Sequence, residues 1–132
     1  MKATGGCQCG AIRYEVTGEI TGHALCHCSD CRASSGAPAM AWLMIPEDSF
    51  SLTKGELTVY NSSGAAMRQF CGKCGTGIAY TNAEHLPGLI DIQSATLDDA
   101  NANAPAVQIQ TADRLFYMKN LESIPAFHGF PE

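Results

Sequence analysis

Positive charge is scarce in this chain. Eight Lys and Arg stand against 13 Asp and Glu over 132 residues, for a net charge of −5 at pH 7. Binding to a phosphate backbone needs a basic field, so nucleic acid is excluded as the main partner. Long apolar runs are missing too. The longest, Ala37 to Pro46, is about half the length of a membrane span, and no apolar stretch follows Met1 to Gly6 to make a signal peptide. These absences predict a soluble, cytoplasmic protein with no membrane partner. No low-complexity segment and no solenoid-length repeat is present. With 45% hydrophobic and 16% charged residues, the composition is that of a globular protein. The length predicts a single domain over residues 1–132.

Little of the chain reads as helix. Ile12, Tyr14 and Val16 alternate with Arg13 and Glu15, which predicts a half-buried strand over 11–17. Ser29 to Ser35 suits one or two helical turns, with Ser29 as N-cap and Gly36 as terminator. Ala39 to Ile45 is apolar without interruption and too short for a surface helix, so it predicts a strand buried on both faces. Further strands are expected over 50–52, 57–60, 66–71, 78–81, 89–93 and 107–110. Asn61–Gly64 and Asp98–Pro105 read as loops. The tail from Asp113, with Leu115 to Met118 and Ile124 to Phe127, is expected to pack against the sheet. The resulting fold class is mainly β, with short, mostly antiparallel strands.

Seven cysteines fall into three clusters: Cys7 and Cys9; Cys26, Cys28 and Cys31; Cys71 and Cys74. The count is odd, so disulfides alone would leave one thiol over. Tight C-x-C and C-x-x-C spacings in a reducing compartment point to metal or redox chemistry. Zinc prefers four tetrahedral ligands and suits thiolates. Cys26, Cys28 and Cys31 are close enough in sequence to clamp one ion. The pairs Cys7/Cys9 and Cys71/Cys74 would then close a second, four-sulfur site. Cys9-Gly10 and Cys74-Gly75 each lead through glycine into a strand, as two facing half-sites would. Spacing does not force this division, because Cys7 and Cys9 could instead join the central cluster. A three-sulfur site keeps one position open, the mark of catalytic rather than structural zinc. The alternative is a closed central site with His23, His27 or Asp30 as fourth ligand. In an extended segment the side chain of His27 points away from those of its neighbours. His85 and His128 read as surface residues.

Taken in order, Gly6-Cys7-Gln8-Cys9-Gly10-Ala11-Ile12-Arg13-Tyr14, Cys26-His27-Cys28-Ser29-Asp30-Cys31-Arg32, Ser35-Gly36 and Phe70-Cys71-Gly72-Lys73-Cys74-Gly75 resemble the glutathione-dependent formaldehyde-activating family, which shares its domain with centromere protein V. Leu97-Asp98-Asp99, Pro105 and Ile124-Pro125-Ala126-Phe127 fit its later landmarks. The resemblance implies an Mss4-like fold and two Zn2+ per chain, a structural ion on Cys7, Cys9, Cys71 and Cys74 and a labile one on Cys26, Cys28 and Cys31. It also implies a carbon–sulfur lyase of the S-(hydroxymethyl)glutathione synthase type, with glutathione and formaldehyde as partners. The C-terminal third departs from the pattern: Leu115-Phe116-Tyr117 stands where a tryptophan is expected, and Trp42 is the only tryptophan. No glutathione-contacting residues are carried over.

A thiol entering an open zinc position becomes a thiolate able to attack an aldehyde carbon. A ZnS₃ centre is already anionic, so a cation must offset the added charge. Arg32, beside Cys31, is the candidate, and Arg68 and Lys73 also lie near cysteine clusters. Asp30, His27, Ser34 and Ser35 are candidates for returning the proton. The reading from a different class is a zinc-stabilised module without catalysis, a carrier of glutathione or metal.

Overall fold

A computed structural model describes residues 1–131. Ten strands and one α-helix follow in the order β1 (Lys2–Gly6), β2 (Arg13–Thr17), β3 (Gly22–Cys26), α1 (Ser29–Ser35), β4 (Met40–Pro46), β5 (Phe50–Lys54), β6 (Leu57–Ser63), β7 (Ala66–Cys71), β8 (Gly77–Asn82), β9 (Leu89–Gln93) and β10 (Val107–Ile109). The fold is mainly β, as the turn and alternation signals predict. The strands form a three-stranded sheet, β1-β2-β5, and a seven-stranded sheet, β10-β3-β4-β9-β8-β7-β6. β10 runs parallel to β3, and the other neighbours are antiparallel. Among the described residues, no helix is long and apolar enough to cross a membrane.

β4 explains the architecture. Leu43 and Ile45 point into the main core, where they meet Ile12, Tyr14 and Val16 beside Ile90 and Ile92. Met40 and Trp42 alternate with them and occupy the opposite face, packed on Cys26 and Cys31. A strand buried on both faces has no solvent side for a polar residue, which accounts for its uninterrupted apolar run. The small sheet therefore covers one face of the large sheet, while α1 lies against the other.

The structure corrects the sequence reading at several points. The first predicted strand starts at Arg13 rather than residue 11, because Gly10 and Ala11 belong to a cysteine turn. The N-cap of α1 is Cys28, not Ser29: its sulfur accepts from the N–H of Cys31, and Gly36 ends the helix at φ 71. β6 continues through the expected loop at Asn61, whose side-chain amide donates to the carbonyls of Gly64 and Ala66 and closes the hairpin. Beyond Asp113 the tail packs onto the sheet only in part: Met118 and Leu121 line a hollow with Leu25 on β3 and Val107 on β10, while most of its other residues are exposed. It forms one-turn 3-10 segments at Phe116–Lys119 and Leu121–Ser123, too short to present a continuous apolar face. Phe116 and Phe130 are 87% and 95% exposed.

Two measurements test this packing. Leu43 is fully buried, so Leu43→Ala is expected to cost about 2–5 kcal/mol in urea unfolding. Asp91 on β9 lies in register with Met44 and Tyr80, and burial pushes its carboxyl up to about 6. An unfolded Asp titrates near 3.9, so between roughly pH 4 and 6 the native state holds more protons, and stability falls as pH rises through that window. Asp91→Asn is expected to raise the urea midpoint at pH 7 and to leave it unchanged below about pH 4.

Candidate metal centres

Two cysteine turns face one another at one end of the main core. In the first, the Cys7 N–H donates to the Ile12 carbonyl at 3.1 Å and the Gly10 N–H to the Cys7 carbonyl at 3.2 Å. In the second, Cys71 N–H reaches the Thr76 carbonyl at 2.9 Å and Gly75 N–H the Cys71 carbonyl at 2.8 Å. Gly10 and Gly75 take φ values of 79 and 84, a left-handed turn that favours glycine. Backbone N–H groups point at sulfur in both: Ile12 at Cys7, 3.2 Å, and Lys73 and Cys74 at Cys71, each 3.4 Å. The echo between the two stretches is therefore a repeat of geometry.

The sulfurs of Cys7, Cys9, Cys71 and Cys74 all lie within 4.8 Å of one another. Cys7 to Cys9 is 3.6 Å and Cys9 to Cys71 is 3.8 Å. A disulfide needs about 2.05 Å, whereas a tetrahedron with metal–sulfur bonds of about 2.3 Å has edges of about 3.8 Å. The spacing fits a metal ion. Cys71 and Cys7 are buried in the main core, Cys74 is half-buried and Cys9 exposed. The hydroxyl and N–H of Thr76 pull the Cys74 thiol down to about 5, which readies it as a thiolate ligand.

The second cluster lies on the opposite face of the large sheet. Cys26 ends β3, Cys28 caps α1 and Cys31 sits in its first turn, with the three sulfurs within 4.8 Å of one another. Cys26 and Cys31 stand 3.8 Å apart, again a tetrahedral edge. Burial among Met40 and Trp42 and the neighbouring Cys28 sulfur push the Cys31 thiol up to about 12. Burial also works against the Cys28 thiolate, but donation from the Cys31 thiol and N–H outweighs it and lowers the pKa. Only one sulfur of such a trio ionises readily unless a cation joins it. Cys28 is half-exposed while Cys26 and Cys31 are buried, so the cluster opens on the side of Cys28.

Among the described residues, no His, Asp or Glu joins either cluster. Cys7 and Cys9 face Cys71 and Cys74 rather than the central stretch. His27 is fully buried and pairs through Nε2 with Gln108 at 2.8 Å. His23 pairs with Ser94 at 2.7 Å, and His85 and His128 are exposed. Ser34 and Ser35 both donate to the Cys31 carbonyl, at 2.8 and 2.9 Å, and so cap the end of the helix. Arg32 donates to the carbonyls of His27 and Asp113. It ties the central loop to the segment after β10. Asp113, whose carboxylate also accepts from the Ser29 N–H at 3.3 Å, carried no sequence signal, since its partners are more than 80 residues away.

A cleft of about 720 Å³ runs between α1 and the β7–β8 hairpin. Ser34, Trp42, Tyr60, Arg68, Thr76 and Gln93 line it, and none of the cysteines does. Thr76 touches the Cys74 sulfur at 3.2 Å and α1 carries Cys31, so the cleft joins the surroundings of both clusters. Arg68 pairs with Asp30 at 2.9 Å, which brings it to the central loop. Lys73 is exposed on its turn. Sequence reasoning missed Tyr60, Gln93 and Trp42 as a wall, because Trp42 meets Gln93 only through the register of β4 on β9.

Residues 2–113 match a family described as glutathione-dependent formaldehyde-activating enzyme. A Schizosaccharomyces pombe protein named as an uncharacterized lyase is 36% identical over 83 residues, a match that covers 61% of this chain and 60% of the relative's length. A crystal structure of a Rhodobacter sphaeroides protein superposes with a TM-score of 0.61 at 26% identity, covering 80% of this chain and 97% of that one.

Metal analysis of the purified protein checks the centres. Two ions per chain are expected, and one ion would contradict the arrangement. Cys28→Ser is expected to lose one ion and keep its far-UV CD spectrum. Cys71→Ser should lose cooperative unfolding, because a structural ion contributes directly to folding.

Proposed function

The chain belongs to the glutathione-dependent formaldehyde-activating enzyme family, and on that premise we propose that it is a zinc-dependent carbon–sulfur lyase acting on a glutathione–aldehyde adduct. In the synthetic direction the thiol sulfur bonds to the aldehyde carbon, the C=O π pair moves onto oxygen, and the thiol proton ends there as the hydroxyl of S-(hydroxymethyl)glutathione. The lyase direction reverses each step. The observation that carries the reading is the trio Cys26, Cys28 and Cys31, which lacks a fourth protein ligand among the described residues.

The all-sulfur donor sets favour zinc over hard cations. Cys7, Cys9, Cys71 and Cys74 would hold a structural zinc, and Cys26, Cys28 and Cys31 a second, labile one. Zinc held by Cys26, Cys28 and Cys31 would supply Lewis acidity that lowers the pKa of a substrate thiol toward neutral pH. The chain's own residues do the rest. The N–H of Cys31 donates to the Cys28 sulfur and spreads negative charge that three thiolates would otherwise concentrate. Arg32 is committed to backbone carbonyls, so it holds the loop in shape. Trp42, packed on Tyr80 with ring centres 5.9 Å apart, gives the cleft an apolar wall that keeps water from the sulfur side.

Exchange NMR on glutathione and formaldehyde tests the reading. Sub-stoichiometric metal-replete protein is expected to speed interconversion at least about ten-fold over the uncatalysed mixture, and Cys28→Ser to remove the acceleration. No acceleration by metal-replete protein would defeat the lyase reading for this substrate in favour of a carrier.

A further inference from the structure

The cleft contains one charged side chain, Arg68, among the described residues. In a chain of net charge −5, a lone cation in this cleft calls for an explanation. Arg68 sits on β7, in register with Tyr60 on β6 and Tyr80 on β8. Its guanidinium lies over the Tyr80 ring, 5.2 Å from the centre. The side chain is only 12% exposed, so most of its donors are shielded from water.

A guanidinium carries five N–H donors in a planar fork. Here Nη2 donates to Asp30 Oδ2 at 2.9 Å, and Nε is buried without a partner. Nε and Nη2 together form the edge that grips a carboxylate side-on with two parallel bonds. Asp30 uses half of that edge through one oxygen. It comes from α1, and its side chain is 75% exposed, so leaving Arg68 would return it to water at small cost. A buried unpaired donor is the costly element in this arrangement. A carboxylate in the cleft would satisfy it.

We infer that Arg68 anchors a carboxylate of the thiol substrate: the anion takes the Nε–Nη2 edge, and Asp30 is released. This deepens the proposed function and rests on its reading of the substrate as an acidic thiol adduct. Glutathione carries two carboxylates, whereas a neutral thiol carries none, so Arg68 would set specificity for acidic thiols. Asp30 lies between Cys28 and Cys31 in sequence, so the exchange also links occupation of the cleft to the loop that carries the central sulfurs.

Calorimetric titration with S-methylglutathione tests this without catalysis, because that thioether cannot react. The full metal-replete protein is expected to bind it. Arg68→Gln should weaken binding at least ten-fold, and Arg68→Lys, which keeps the charge but not the fork, should fall between. Asp30→Asn removes the competitor from an exposed position and should tighten binding several-fold. The diethyl ester of the same ligand should bind equally to wild type and Arg68→Gln. Absence of binding to wild type, equal affinity for the acid in Arg68→Gln, or weaker binding in Asp30→Asn would each overturn the inference. Arg68-dependent binding without any acceleration of adduct formation would leave the anchor standing and remove the lyase. Acceleration with Arg68-independent binding would do the reverse.

Discussion

Thiolates packed 3.6–3.8 Å apart repel one another unless a cation joins them, and much of this structure answers to that constraint. Backbone N–H groups aimed at sulfur lessen the repulsion at Cys7, Cys28 and Cys71, whereas burial, with the neighbouring sulfurs adding to it, raises the Cys31 thiol. A divalent ion reverses the balance, because each thiolate then stabilises the ion instead of opposing its neighbours. The turns at Gly10 and Gly75, the cap at Cys28 and the alternation of β4 all set sulfur positions. The four-sulfur cluster ties β1 to β7, strands of different sheets, more than 60 residues apart. A metal held there would close the sandwich at one end.

The two centres inherit different surroundings from the two faces of one sheet. Cys7 and Cys71 are part of the core between the sheets, so any opening at that centre would also disturb the packing of the fold. Cys26 and Cys31 sit on the outer face, in a small cluster with Met40 and Trp42 of β4 and Tyr80 of β8. Ligand exchange at an ion held there would leave the main core untouched, so the proposed division into a labile and a structural centre would separate exchange chemistry from folding stability.

The strand pattern and the cysteine division were largely legible in the sequence. Period-two alternation at Tyr14 and Val16 and the bare apolar run of β4 reported burial directly, and C-x-C and C-x-x-C spacings limit which sulfurs can meet. Features set by long-range contact were not legible. Arg32 reads as a charge near a cysteine, yet its partners are a neighbouring carbonyl and one at Asp113. Arg68 reads as a cation near the cluster of Cys71 and Cys74, yet it pairs with Asp30 of the central loop, 38 residues away. Cys28 as a helix cap escaped notice because sulfur is a weak acceptor that seldom replaces a serine oxygen. The tail differs from expectation for another reason: its apolar residues suggest burial by composition, but one-turn segments turn only a few of them, such as Met118, toward the sheet.

Arg32 and Arg68 show why proximity to a reactive residue is a poor guide to role. Arg32 follows Cys31 directly, and both of its acceptors are peptide carbonyls, so its charge is already engaged in holding the loop. Arg68 lies near Cys71 in sequence, yet its partner is Asp30 of the central loop, and its buried Nε has no partner. A guanidinium that is both buried and incompletely paired is costly to keep, and a flat cation stacked on an aromatic ring has its donor edge fixed in direction. The residue best placed to recognise an anion is therefore the one whose hydrogen bonds the fold leaves unfinished.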